Sequence, residues 1–396
     1  MRVYPPPPIT FPPAWHWFVD ELLPSYVKKH YSPKEAWKEK PFGETDARFF
    51  FRGIEELSEL FTDERSGHVP PYFKHPRFRS SYLLYFIPLQ AAKFITLFQL
   101  HAKAMAAALS HARISGKLKI VDLGAGPATA SLAFLIWFLN QPETEGISLE
   151  WDGFDTEAGI LKDGKQLIEL VASQFPKLRN KIQARTHTVS WWDAPGILNG
   201  ENSLILMGNV LNEMPQNPRA EENQFHGFKK LFTKMNGGGC LIVEPASRSS
   251  SQLLSQLRNS FFEHSLLPAS PTSLWGPCLH AEKCPLSFGK DWCHFSVPVD
   301  IPGKWFKKFS KALSSERQWV KFSYVWIASK DYPAPLTANT SRRVISDPLS
   351  VGKKNKIVLL CEPEQPKRLE IPVQIQIRRG DLLSGDHPTS QENFRR

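Results

Sequence analysis

Between residues 117 and 245 strand and helix patterns alternate regularly, and only an open sheet covered on both faces accommodates such a run. KLKIVDLG (117–124) and ISLEWDGFD (147–155) read as strands, with ATASLAFLIWFLN (128–140) and EAGILKDGKQLIELVASQF (157–175) as the helices that follow them. KIQARTHTVS (181–190) and NSLILMGNV (202–210) continue as strands and FHGFKKLFTKM (225–235) as a helix. GGCLIVEP (238–245) is a further strand, leading into the helical SSSQLLSQLRNSFFEH. The pattern predicts an α/β fold built on a doubly wound, mostly parallel sheet.

The flanks differ in composition. Residues 1–79 are rich in proline and aromatic side chains without a long period, and read as an extended arm with short helices. Residues 80–266 comprise a helical lead-in, periodic from about 80 to 113, and the alternating domain. Residues 267–302 break into Pro, Gly and Cys, as an insertion folded around ligands would. Residues 303–380 are basic and strand-rich, and 381–396 are too polar to pack and read as a disordered tail. No internal repeat is visible, and 396 residues with 41% hydrophobic content bury a large core in two or three units.

The start of the chain shows neither a basic segment followed by an apolar core nor an Arg-rich amphipathic leader, so a reducing cytoplasm is expected. The apolar run from Ser80 to Leu109 is interrupted by Gln90, Lys93, Gln99, His101 and Lys103, and reads as a buried helix instead of a membrane span. Charge is uneven: residues 301–380 hold 16 Lys and Arg against 6 Asp and Glu, an excess equal to the net +10 of the whole chain. Such a segment attracts a polyanion, with Trp305, Phe306, Phe309, Trp319, Phe322, Tyr324 and Trp326 available for stacking. For any single helix among them, a solvated basic face with its aromatics turned inward is the simpler reading.

VDLGAGPATA (121–130) joins the first strand of the alternation to its helix. Gly124 and Gly126 permit a tight turn and close backbone approach to a ligand, and the helix N-terminus that follows favours a negative group. A dinucleotide fingerprint would place a third small residue where Thr129 stands, whereas Asp122, two residues before the first glycine, suits the amino group of S-adenosylmethionine (SAM). This D-x-G-x-G arrangement resembles the class I methyltransferases. Asp155, closing the second strand, is placed for the ribose hydroxyls. Asp193 in VSWWDA is either an adenine contact or a turn aspartate.

Four of the five cysteines, Cys278, Cys284, Cys293 and Cys361, lie downstream of this loop. In a reducing compartment, clustered thiols are metal ligands before they are disulfides. No short C-x-x-C pair is present, and the spacing leaves zinc and a 4Fe-4S cluster equally open. His280 and His294 read as supporting or packing histidines, and Cys240, in a core strand, as a buried free cysteine.

GAGPAT (124–129), CLHAEKCP (278–285), WCHF (292–295), RRVISDP (342–348) and IVLLC (357–361) together resemble the mitochondrial small-ribosomal-subunit methyltransferase-like assembly factors and their bacterial relatives. The resemblance spans about residues 80–380. It implies a class I methyltransferase fold and a SAM site at Asp122, Gly124, Gly126 and Asp155. It further implies a 4Fe-4S cluster on the four cysteines and association with the small ribosomal subunit and its rRNA, with a monomer expected away from the ribosome.

Whether such a chain transfers methyl groups turns on GNVLNEMP (208–215). Methylation of a base amine ordinarily uses a polar-Pro-Pro-aromatic tetrapeptide here, and this one departs from it. Asn209, Asn212 and Glu213 are the remaining candidates for orienting an acceptor or moving a proton. No cysteine stands near for attack on a pyrimidine ring. Three readings follow: a SAM-binding ribosomal factor, an active rRNA methyltransferase on a small-subunit base, and a zinc-braced methyltransferase with a protein or small-molecule substrate.

Overall fold

The computed structural model describes residues 2–63, 71–196, 201–213, 226–231, 236–263, 273–315, 318–328, 341–363 and 365–384. After a short strand β1 (Arg2–Tyr4), helical backbone runs without a break through Ala14–Trp17, Phe18–Leu22 and α1 (Leu23–Tyr31). Trp15, Phe18, Val19, Leu22, Leu23, Tyr26 and Val27 recur every three or four positions and are all buried. The amino-terminal region is therefore no extended arm. Its period is helical but short, and the prolines ahead of it conceal the start. Together with α2 (Glu44–Asp63) it packs into the main core. A buried ion pair, Lys28 Nζ to Asp46 Oδ2 at 2.6 Å, joins α1 to α2; Lys28 also donates to Pro41 O, and Asp46 accepts the Gly43 N–H.

Helical backbone from Pro76 through Tyr82–Phe86 into α3 (Ile87–Leu100) is long and apolar enough to cross a bilayer, but most of it is buried inside the protein. After α4 (Ala102–Ser115) come β2 (Lys117–Leu123), α5 (Thr129–Leu139), β3 (Ser148–Asp155), α6 (Ala158–Gln174), β4 (Ile182–Thr188), β5 (Glu201–Gly208) and β6 (Asn236–Pro245). Then follow α7 (Arg248–Glu263), β7 (Ser273–Gly276), β8 (Phe295–Pro298), α8 (Lys304–Ala312) and β9 (Trp319–Ala328). Sheet order is β4-β3-β2-β5-β6-β9-β7, with β8 also on β9; the first five strands are parallel and β9 runs against them.

Alternation along each strand sorts side chains to two faces. Leu118, Ile120, Leu204, Leu206, Leu241, Val243, Tyr324 and Trp326 meet α3, α5, α6 and the amino-terminal helices. Val121, Leu123, Ile205, Met207, Cys240, Ile242, Val325 and Ile327 meet Phe228 and the α7 residues Leu254 and Phe261. Cys240 is thus a fully buried core residue.

The basic segment is not one unit. Its α8 and β9 belong to the main body: Trp305, Phe306, Phe309, Phe322, Tyr324 and Trp326 are buried, and Trp319 is the partly exposed one. Lys307 pairs with Asp300, and Lys308 with Glu44. Beyond them β10 (Arg342–Val344), β11 (Leu349–Val351), β12 (Asn355–Cys361), β13 (Lys367–Pro372) and β14 (Leu382–Ser384) form a second sheet closed by β1. Its core is Val344, Val358, Leu360, Leu369, Ile371, Ile377 and Leu383. β14 begins inside the stretch read as a disordered tail: three residues, with Leu383 fully buried, suffice to pair with β1 and β10. Residues 385–396, like 225 and 232–235 of the expected helix after β5, lie outside the described residues.

Candidate functional site

In a doubly wound sheet, ligands sit outside the carboxyl ends of the strands where the winding reverses. Here the chain winds from β2 outward to β4 and returns to β5, and a cavity of about 360 Å³ opens at that point. Its walls come from the segments after β2 (Gly124–Ala130), β3 (Asp155–Glu157), β4 (Val189–Trp192) and β5 (Gly208–Val210, Glu213). The amino-terminal helices close it with Pro71, Tyr72, Phe73, Tyr82, Gln90 and Phe94.

Gly124 and Gly126 take φ of +66° and +51°, the left-handed region that favours glycine. A Cβ on Gly124 would stand 2.4 Å from Val210 Cγ2. Asp155 organises the loop: Oδ2 accepts the Gly126 N–H at 2.8 Å and Oδ1 the Glu157 N–H at 2.9 Å. Burial raises its carboxyl above the ordinary range. Asp122, 1% exposed, accepts the Ser131 hydroxyl at 2.5 Å and the Ser131 N–H at 3.3 Å, which ties β2 to the first turn of α5. Trp151 Nε1 donates to Ser131 Oγ at 2.9 Å, completing a buried chain.

Burial pushes Asp122 up to about 7 against the Ser131 hydrogen bonds. A carboxyl whose folded value is raised stabilises the fold fully below its unfolded value, and that contribution is lost as pH rises through about 7. Asp122→Asn removes the titration. Relative to the variant, the wild type should lose stability between about pH 4 and pH 7, by at most about 1.4 kcal/mol per pH unit. Urea unfolding of both proteins in a pH series checks this, and a constant difference contradicts it.

Of the residues after β5, Asn209 lines the cavity in left-handed backbone at φ +56°, with its N–H on Val243 O and its Oδ1 buried without a partner. Glu213 also opens onto the cavity and accepts the Tyr72 hydroxyl at 2.8 Å; enclosure by the protein pushes its carboxyl up to about 7. Asn212 turns elsewhere, its amide donating to Asn209 O and Glu244 Oε2 in the orientation that satisfies both. Asp193 sits exposed on the Trp191–Gly196 turn, outside the cavity lining, and its neighbours Trp191 and Trp192 form the wall instead.

Several wall and support residues escaped the sequence reading. Glu244, fully buried at the end of β6, accepts the N–H groups of Val210, Leu211 and Asn212 and so fixes the turn after β5. An acid closing the β6 strand pattern is the signal that marks it. Tyr72, Tyr82, Gln90 and Phe94 carry no local signal, since they reach the cavity only through tertiary packing.

The four cysteines lie between the two sheets. Cys278, Cys284 and Cys293 are on the excursion between β7 and β8, and Cys361 ends β12. Cys284, Cys293 and Cys361 share a small buried cluster with Leu286, Ile345 and Leu359. Burial and the proximity of Cys278, Cys284 and Cys361 hold the Cys293 thiol well above its ordinary range. Arg258, 1% exposed on α7, donates to His280 O and Glu282 O, and Arg343 of β10 donates to Pro277 O and Gly380 O. Asn259 accepts the Cys284 N–H at 2.8 Å. His280 Nε2 is 3.4 Å from Cys361 Sγ, whereas His294 stacks on Trp292. Among the described residues no group of three or more His, Cys, Asp or Glu side chains is set to hold a metal ion.

No curated protein matches the chain significantly. Similar solved structures include an rRNA methylase from Streptococcus thermophilus, at 8% identity over 57% of this chain and 94% of that one, TM-score 0.30. A class I SAM-dependent methyltransferase from Listeria monocytogenes overlaps at 10% identity over 75% and 90%, TM-score 0.31. The plantazolicin methyltransferase, solved with S-adenosylhomocysteine (SAH), overlaps at 10% over 72% and 98%, TM-score 0.34. Overlaps this loose carry no argument, and the fold rests on the strand order itself: five parallel strands wound both ways from β2, with a reversed β9 beyond them, make a class I methyltransferase-like fold. Residues 117–384, two thirds of the sequence, match the family described as mitochondrial small ribosomal subunit Rsm22, and to that family this chain belongs.

Proposed function

We propose that this chain is a SAM-binding, methyltransferase-like factor that acts on the small ribosomal subunit and carries a 4Fe-4S cluster on Cys278, Cys284, Cys293 and Cys361. The observation that carries the reading is the cavity at the winding reversal, where the Asp155 carboxylate holds the Gly126 amide at the mouth of a glycine turn. Asp155 retains lone pairs for ribose hydroxyls, and the aromatic walls of Trp191 and Trp192 suit an adenine ring. The family description supports the ribosomal side of the reading.

For the metal, the resemblance of the cysteine motifs to those of the family supports a cluster over zinc. One zinc ion draws its sulfurs to about 2.3 Å from a single point. Cys293 has Cys278, Cys284 and Cys361 as neighbours, but among the described residues no group of three or more His, Cys, Asp or Glu is set to hold a metal ion. Arg258, Arg343 and Arg379 act on the thiols, and their positive charge would offset that of a thiolate-bound cluster. Such a cluster would brace the β7–β8 excursion against β12. In the methyl-acceptor region Asn209 and Glu213 remain available, but Asn212 is engaged in holding the turn. The reading therefore does not require turnover.

Purification without oxygen tests the metal, and sedimentation tests the partner. About four irons and four sulfides per chain with broad visible absorption, lost in Cys361→Ser, are expected. One zinc in a colourless protein overturns the cluster. The holoprotein should pellet with small subunits at low salt and be released steeply as salt rises. Failure to pellet at any salt removes the ribosomal assignment.

A further inference from the structure

The cavity walls are unbalanced in charge. Four carboxylates, Asp122, Asp155, Glu157 and Glu213, line it, and none of its described lining residues is Lys, Arg or His. Two amide oxygens, Gln90 Oε1 and Asn209 Oδ1, add buried acceptors without partners. Compensation inside the protein is incomplete. Lys74 Nζ reaches only the rim, 3.9 Å from Glu157; Asp122 has the Ser131 hydroxyl; Glu213 has the Tyr72 hydroxyl and faces Asp155 and Glu244. Tyr72 and Tyr82, the other titratable groups in the wall, are themselves held neutral by burial.

An enclosed surplus of carboxylates is costly unless a cation answers it. SAM brings a sulfonium; SAH, its demethylated product, has the same adenosine, amino and carboxylate groups with a neutral thioether. We infer that the cavity selects the sulfonium form over the thioether form by charge, so that the chain is a receptor for the methyl donor that is not held by its product. The inference rests on the SAM reading above and adds the sense of its discrimination. Occupancy would then follow the donor-to-product balance, whether or not methyl transfer occurs.

The same charges give the selection a pH dependence. With burial pushing Asp122 and Glu213 up to about 7, both are largely neutral in mild acid, and the attraction for a sulfonium develops as pH rises through that value. The amino groups of SAM and SAH sit on the same α-carbon in both ligands, so the ratio of the two affinities isolates the sulfonium.

Titration calorimetry of the anaerobically purified full-length protein with SAM and with SAH tests this at about pH 6 and about pH 8. Expected at the higher pH is binding of SAM about tenfold tighter than of SAH or more, with the ratio falling toward one at the lower pH. Glu213→Gln should shrink the ratio at high pH. Glu157→Gln serves the same purpose should that variant not fold. Equal or tighter binding of SAH at high pH, or a ratio indifferent to pH and to both variants, overturns the inference and leaves the SAM reading intact. Binding of neither compound at any pH overturns the SAM reading, and the inference falls with it.

Discussion

Gly124→Val should weaken SAM binding about 100-fold or more while Gly116→Val leaves it intact. Both glycines adopt nearly the same left-handed backbone, at φ +66° and +68°, which a β-branched residue strongly disfavours. They differ in surroundings. A Cβ at 124 meets Val210 at 2.4 Å, and Val210 is held by its own N–H on Glu244, whereas a Cβ at 116 meets nothing within 4 Å. Strain of roughly 1–3 kcal/mol is common to both variants. In Gly124→Val the contact must additionally displace the loop that Asp155 organises, and affinity should weaken about 100-fold or more. Calorimetry on the two folded variants decides it; near-normal SAM affinity in Gly124→Val would show that this loop does not cradle the ligand.

The largest loss of stability is expected from Lys28→Met. Both partners of the Lys28–Asp46 pair are almost wholly buried, at 6% and 7% side-chain exposure. Removing the ammonium leaves Asp46 with the Gly43 N–H alone, and breaking a buried pair from one side costs about 3–5 kcal/mol. Replacing both partners in Lys28→Met/Asp46→Leu should restore most of that loss, because no uncompensated charge remains. Urea denaturation of the three proteins measures it. A single-variant loss below about 1 kcal/mol would mean that the amino-terminal helices contribute little to global stability.

What was legible in the sequence follows from how local each signal is. β2 through β6 and the glycine turn are encoded in contiguous patterns, so KLKIVDLG, WDGFD and LILMG announced both the sheet and the position of Asp122 and Asp155 within it. The amino-terminal helices were hidden because their buried run from Trp15 to Val27 follows a proline-rich entry. β9 read as part of a separate basic unit because strand character alone does not say which sheet a strand joins, and only its pairing with β6 settles that. Asp193 stands on a turn, one of the two places the sequence leaves open for it, and the same segment reaches the cavity through its tryptophans. Tyr72 meets Glu213 only through packing across more than thirty residues of sequence, and no motif carries such information.

The proposed function requires one molecule of SAM in one cavity. Equilibrium dialysis of labelled SAM against the wild type and Asp155→Ala measures that directly. One SAM per chain is predicted, with affinity reduced about 30-fold in the variant, since Asp155 both holds the Gly126 turn and offers the acceptor for the ribose. No uptake by the wild type, or equal uptake by a folded Asp155→Ala, would contradict it.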